Sequence, residues 1–107
     1  METLTNTTTL IGHFGVDSGQ AMIGDPSYLN NWIDSKDFDP TDDGEYSYNG
    51  ACGRTLSSQS AGELHFKAGA GAGAGVVFST GYGDGYYPVY ATYNEDGKIV
   101  KVEIIMD

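Results

Sequence analysis

The chain has 107 residues, enough for one modest hydrophobic core and too few for two, so a single domain over residues 1–107 is expected. Fifteen acids against five bases give a formal net charge of −10, which disfavours direct binding of nucleic acid; the lone cysteine, Cys52, excludes an internal disulfide and an intrachain cysteine cluster for a metal. Sixteen glycines with an apolar fraction of 39% point to short strands joined by many turns.

The N-terminus has no basic region leading into an apolar run, and no segment approaches the roughly 18 apolar residues of a membrane span, so neither a signal peptide nor a membrane location is expected. One unpaired thiol fits a reducing compartment, the cytoplasm in the simplest case.

Residues 8–16 are rich in β-branched and apolar types, with Leu10, Gly12, Phe14 and Val16 on one parity and Ile11 and His13 on the other, the pattern of a first strand. Asp17-Ser18-Gly19 supplies turn chemistry and residues 20–24 resume a strand, so a hairpin is expected. Asp25-Pro26 then suits a helix start, with Asp25 as N-cap and Pro26 at the first helical position. Tyr28, Leu29, Trp32 and Ile33 give that helix one apolar face over about two turns.

Residues 34–45 hold six acids against Lys36 and form an expected exposed loop. Two short strands with a turn at Asn49-Gly50 are expected over residues 45–56, and Leu64 and Phe66 alternate in a strand at residues 63–67. Residues 68–75 alternate Ala and Gly, a pattern read here as a loop in preference to a strand. An apolar strand at residues 76–80 leads into a glycine-rich stretch, and residues 86–93 set Tyr87, Val89, Ala91 and Tyr93 on one parity. Asn94-Glu95-Asp96-Gly97 forms a hairpin turn to a return strand at residues 98–106; Pro88, which has no N–H, belongs at a sheet edge or an unbonded position. The expected fold is mainly β: a single antiparallel β-sandwich or partly open barrel with one short helix after the second strand.

Four constellations could carry function. Glycines flank Asp84 in Thr80-Gly81-Tyr82-Gly83-Asp84-Gly85, which lets backbone come close to a bound group while the carboxylate accepts a hydroxyl or holds a cation. No lysine and no long helix follow, so this is not a phosphate loop; a tight β corner is the alternative. Asp17, Asp25 and Asp84 all fall at strand ends, and if they converge they suit a divalent cation or a general acid/base pair. Tyr82, Tyr86, Tyr87 and Tyr90 beside the glycines offer stacking or interface contacts. The acidic loop could mimic nucleic-acid phosphates toward a basic protein, with a plain solvated loop as the alternative. Neither His13 nor His65 lies in a catalytic motif with Cys52, and an inert buried cysteine is the expectation.

Gly15-Val16-Asp17-Ser18-Gly19-Gln20, Gly24-Asp25-Pro26-Ser27-Tyr28-Leu29 and the run from Ser79 through Tyr82, Asp84 and Pro88 to Tyr90 resemble an uncharacterised family of small β proteins from bacteria and their phages. The resemblance implies a domain of unknown function, intracellular or virus-encoded, in a host cytoplasm or a virion, and brings no catalytic residue with it. The Ala-Gly run and the acidic loop look like departures from it. The preferred functional expectation is a non-enzymatic binding or structural module that engages a protein or small ligand through Asp84, Gly83, Gly85, Tyr82 and Tyr87, with Asp17 and Asp25 beside them. A metal-dependent or hydrolytic enzyme using Asp17, Asp25 and Asp84, and an acidic decoy of a nucleic-acid-binding protein, are the alternatives.

Overall fold

A computed structural model describes residues 5–33, 44–66 and 72–107. Among these residues six strands form two antiparallel sheets: β1 (Thr7–Val16), β5 (Gly85–Tyr93) and β6 (Ile99–Ile104) in the order β1-β5-β6, and β2 (Gln20–Ile23), β4 (Ala72–Ser79) and β3 (Ala61–His65) in the order β2-β4-β3. A 3-10 helix (Pro26–Asn31) follows β2, and α1 (Tyr48–Thr55) precedes β3. The expected mainly β fold, an antiparallel sandwich or partly open barrel, is consistent with these two sheets, and the predicted short helix is in its place after the second strand with Asp25 as its N-cap. Among the described residues, no helix is long and apolar enough to cross a membrane.

Three local expectations are corrected. The turn at Asp17-Ser18-Gly19 does not close a hairpin: β1 pairs with β5 and β2 with β4, so the chain crosses from one sheet to the other there. Turn chemistry fixes a change of direction, whereas the pairing partner is chosen by long-range packing. Residues 48–55 form α1, not two strands. The Ser47 hydroxyl accepts the Gly50 N–H at 3.0 Å and caps the helix, whose Ala51 and Cys52 are buried; capping and burial override the Asn-Gly turn signal. The end of the Ala-Gly run belongs to β4, a central strand whose ladders to β2 and β3 satisfy its backbone despite the weak β propensity of Ala and Gly; residues 68–71 lie outside the described residues. Of the two places expected for Pro88, a sheet edge and an unbonded position, the structure has the second, in the central strand β5. The Pro88 carbonyl accepts the Ile105 N–H at 3.3 Å, so its missing donor falls opposite Ile105, just past the end of β6, and costs one rung where the ladder stops.

The main core lies on the β2-β4-β3 sheet. Tyr46, Ala51, Leu64, Ala74 and Val77 are buried there, and Met22, Tyr28, Trp32 and Phe66 pack against them. Three edge-to-face ring pairs knit it together: Tyr28 with Phe66 and Trp32 with Tyr46, both at 5.0 Å, and Tyr46 with Phe66 at 5.7 Å. Each such pair contributes about 0.5–1.5 kcal/mol beyond area burial. The apolar face predicted for the helix is thus half used: Tyr28 and Trp32 reach the core while Leu29 stays exposed. Between the two sheets an apolar groove of about 570 Å³ remains open, lined by residues of both, including Phe14, Met22, Phe78, Val89 and Ile104.

Candidate functional site

Both connections that carry the chain from one sheet to the other lie side by side. Residues 17–19 link β1 to β2 and residues 80–84 link β4 to β5, and the two are bonded together: Thr80 N–H donates to Gly19 O at 3.0 Å, and Asp84 Oδ1 accepts the Gly19 N–H at 2.8 Å. Within the second connection, Gly83 N–H donates to Thr80 O and the Thr80 hydroxyl donates to Gly83 O, both at 2.6 Å. Such a closed turn needs a left-handed residue, which Gly83 supplies with φ of 89°. Tyr87 is buried beneath, and its hydroxyl donates to Gly83 O at 2.6 Å, while its ring lies 6.1 Å from that of Phe14.

Tyr82 is 79% exposed at the tip of the corner, and Tyr86, at the start of β5, is 81% exposed. The register places Tyr86 opposite Gly15 on β1, where the absence of a side chain leaves room for the ring to lie over the backbone. The corner therefore presents two solvated aromatic rings on a backbone held by side-chain and main-chain hydrogen bonds from three segments.

The expected site residues divide accordingly. Asp84, Gly83, Gly85 and Tyr82 share the corner, and Asp17 lies in the adjoining turn. Tyr87 supports the corner from within. Asp25 stands elsewhere: β2 runs from Gln20 opposite Ser79 to Ile23 opposite Val76, so Asp25 lies beyond the far end of that pair, where its Oδ1 accepts the Ser27 N–H at 2.9 Å. Among the described residues no three His, Cys, Asp or Glu side chains are grouped to hold a metal ion. Residues 34–43 of the acidic loop lie outside the described residues. Tyr86 belongs to the exposed corner although it is not among the expected site residues, and parity is the signal that separates it from Tyr87: Tyr87 alternates with the inward Ala91, which sends Tyr86 outward.

Cys52 is buried; the Gln20 amide donates to its sulfur at 3.6 Å, and the Thr55 hydroxyl donates to the Gln20 amide oxygen at 3.0 Å. The Cys52 thiol, by hydrogen bonding and then by charge, holds the neighbouring Tyr48 phenol above the usual tyrosine range. These contacts tie α1 to β2.

The fold and corner define a two-sheet β protein whose most distinctive surface is aromatic. Residues 5–104 match the family model described as protein of unknown function (DUF4241), and the chain belongs to that family. No curated protein and no solved structure matches the chain.

Proposed function

We propose that this chain is a non-enzymatic binding module that engages another protein through Tyr82 and Tyr86 on the corner at residues 80–86. The observation that carries this reading is the exposure of the two rings, 79% and 81%, on a backbone locked by Asp84, Thr80 and Tyr87. Tyrosines held on a rigid support offer large contact area at small entropic cost, which is the usual make-up of an interface hot spot. A protein suits the corner better than a small molecule, because small ligands are held in concave pockets and these rings project into solvent. Asp84 serves the site by shaping it, with its second carboxylate oxygen available at the rim. A buried thiol at Cys52 suits a reducing cytoplasm, bacterial or phage-infected.

Affinity capture with the whole chain, compared between wild type and a Tyr82→Ala/Tyr86→Ala variant of matched urea midpoint, tests the proposal. Proteins retained by the wild type should be depleted about tenfold or more by the double variant, since one aromatic hot spot is worth about 2 kcal/mol or more. Retention of the same set by both chains would remove the corner from the interface.

A further inference from the structure

The sheet β1-β5-β6 ends on β6, and among the described residues no strand pairs with its outer edge. Ile99, Val100 and Val102 are each more than half exposed on this strand, and Ile105 is 40% exposed just after it. An apolar edge of this kind is a template for another strand unless charge or a bulge blunts it. The bulge in β6 falls at Val100, where the partner of Thr92 is Lys101 and that of Tyr93 is Ile99, so residues 101–104 keep regular alternation. Here the charges do something more specific. Around Val102 the sequence is symmetric in character: Lys101 and Glu103 flank it, then Val100 and Ile104, then Ile99 and Ile105.

The backbone has the matching phase. Ile105 N–H donates to Pro88 O, and Tyr90 stands opposite Glu103, so by the alternation of an antiparallel ladder the N–H and C=O of Glu103 and Lys101 turn toward β5. Those of Val102 and Ile104 turn toward the open edge.

We propose that β6 pairs with β6 of a second copy of this chain, antiparallel, about a two-fold axis at Val102. In that register the two Val102 residues exchange both backbone hydrogen bonds, and Val100 of each copy stands opposite Ile104 of the other. Lys101 of each copy then stands opposite Glu103 of the other, in the closely spaced non-bonded pairs where side chains interact most strongly. Registers centred on Lys101 or Glu103 set like charges face to face and leave the outward backbone groups mismatched. The existing contact between Lys101 Nζ and Glu103 Oε1 within one strand, at 3.4 Å and half exposed, becomes part of a four-charge cluster. Self-pairing joins two three-stranded sheets into one of six and brings the exposed face of Val102 and Ile104, which lines the groove, against its symmetry mate. The overall charge of −10 opposes association, but residues 98–106 hold Lys98 and Lys101 against Glu103 alone, so the strand itself carries no net negative charge.

Sedimentation equilibrium of the whole chain tests this. With a Kd near about 10 μM the wild type is mainly dimeric at about 100 μM. Lys101→Glu sets acid against acid twice per dimer and Glu103→Lys sets base against base twice, so each variant alone should weaken the dimer by about tenfold or more. An equimolar mixture of the two variants restores both opposite-charge pairs and should return dimerisation to within about threefold of wild type, as should the K101E/E103K chain. All four side chains are exposed in the dimer partners before association, so the fold is kept and circular dichroism confirms it. A monomeric wild type, unaffected single variants, or a mixture that stays monomeric each overturns the proposal.

Discussion

Asp84 accepts the backbone N–H of Gly19 at 2.8 Å across 65 positions of sequence, and this bond fastens the two sheet-to-sheet connections to each other. The bond is exposed, so water replaces it in part when it is removed. Asp84→Ala should lower the stability by about 0.5–1.5 kcal/mol, and Asp84→Asn, which keeps an amide oxygen at the same place, by less. Urea melts of the two variants check this, and equal losses would show that the acceptor is not what matters.

Tyr87 holds the corner from the buried side. Tyr87→Phe removes the donor to Gly83 O but keeps the ring against Phe14, so a loss of about 1 kcal/mol is expected, which is a fall of about 4–8 °C in Tm for a domain of this size. The exposed Tyr82→Phe provides the control, with no change in Tm beyond error. A Tm for Tyr87→Phe equal to that of the control would contradict the supporting role.

Gly50 lies in the first turn of α1 with its Cα against the backbone of Glu45, and a Cβ there would overlap the Glu45 carbonyl oxygen. Neither group is a flexible side chain, so α1 must move to relieve the overlap. Gly50→Ala should cost about 3 kcal/mol or more despite the better helix propensity of alanine, a direction opposite to that expected for an exposed helical glycine. A gain in urea midpoint would show that the close approach is not real.

Two titrations carry pH dependence of opposite sign. The Ser27 backbone N–H, then its side chain, holds the Asp25 carboxyl below the usual aspartate range, so its contribution to stability is complete above the ordinary value of about 3.9 and disappears as pH falls through the lower folded value. The stability difference between wild type and Asp25→Asn should therefore vanish only in that acid range. Tyr48, raised by Cys52, contributes fully below the ordinary tyrosine value of about 10 and loses its contribution as pH rises through the higher folded value. Cys52→Ala should bring the Tyr48 midpoint down toward that ordinary value. Ring-carbon NMR titration resolves Tyr48 from the other tyrosines, and an unmoved midpoint would rule Cys52 out as the cause.

Strand identity was legible where periodicity and turn chemistry agreed, as for β1, β5 and β6, because alternation is a local consequence of the pleat. Partnership was not. Nothing in Asp17-Ser18-Gly19 distinguishes a hairpin from a crossing between sheets, since the choice rests on β5 and β4, whose residues lie far downstream. The helix at residues 48–55 was hidden for a related reason: Ser47 was a usable cap signal, but Asn49-Gly50 imitates a hairpin turn and only the packing of Ala51 and Cys52 decides between them. For the site, the corner itself was readable from its glycines. The aspartate trio was not resolvable, because Asp17 and Asp25 flank a strand whose length separates them.

The pairing of β1 with β5 has a consequence for how the chain is made. Val16 must find Gly85, so β1 emerges from the ribosome with no ladder to join until residues 17–84 have followed it. At roughly 5–20 residues per second this leaves the strand's backbone unpaired, and Phe14 and Val16, which folding covers, unprotected for several seconds. Synthesis that stalls before β5 therefore yields a sticky nascent chain, and the yield of native protein should depend on translation speed and on chaperones that shield that first strand.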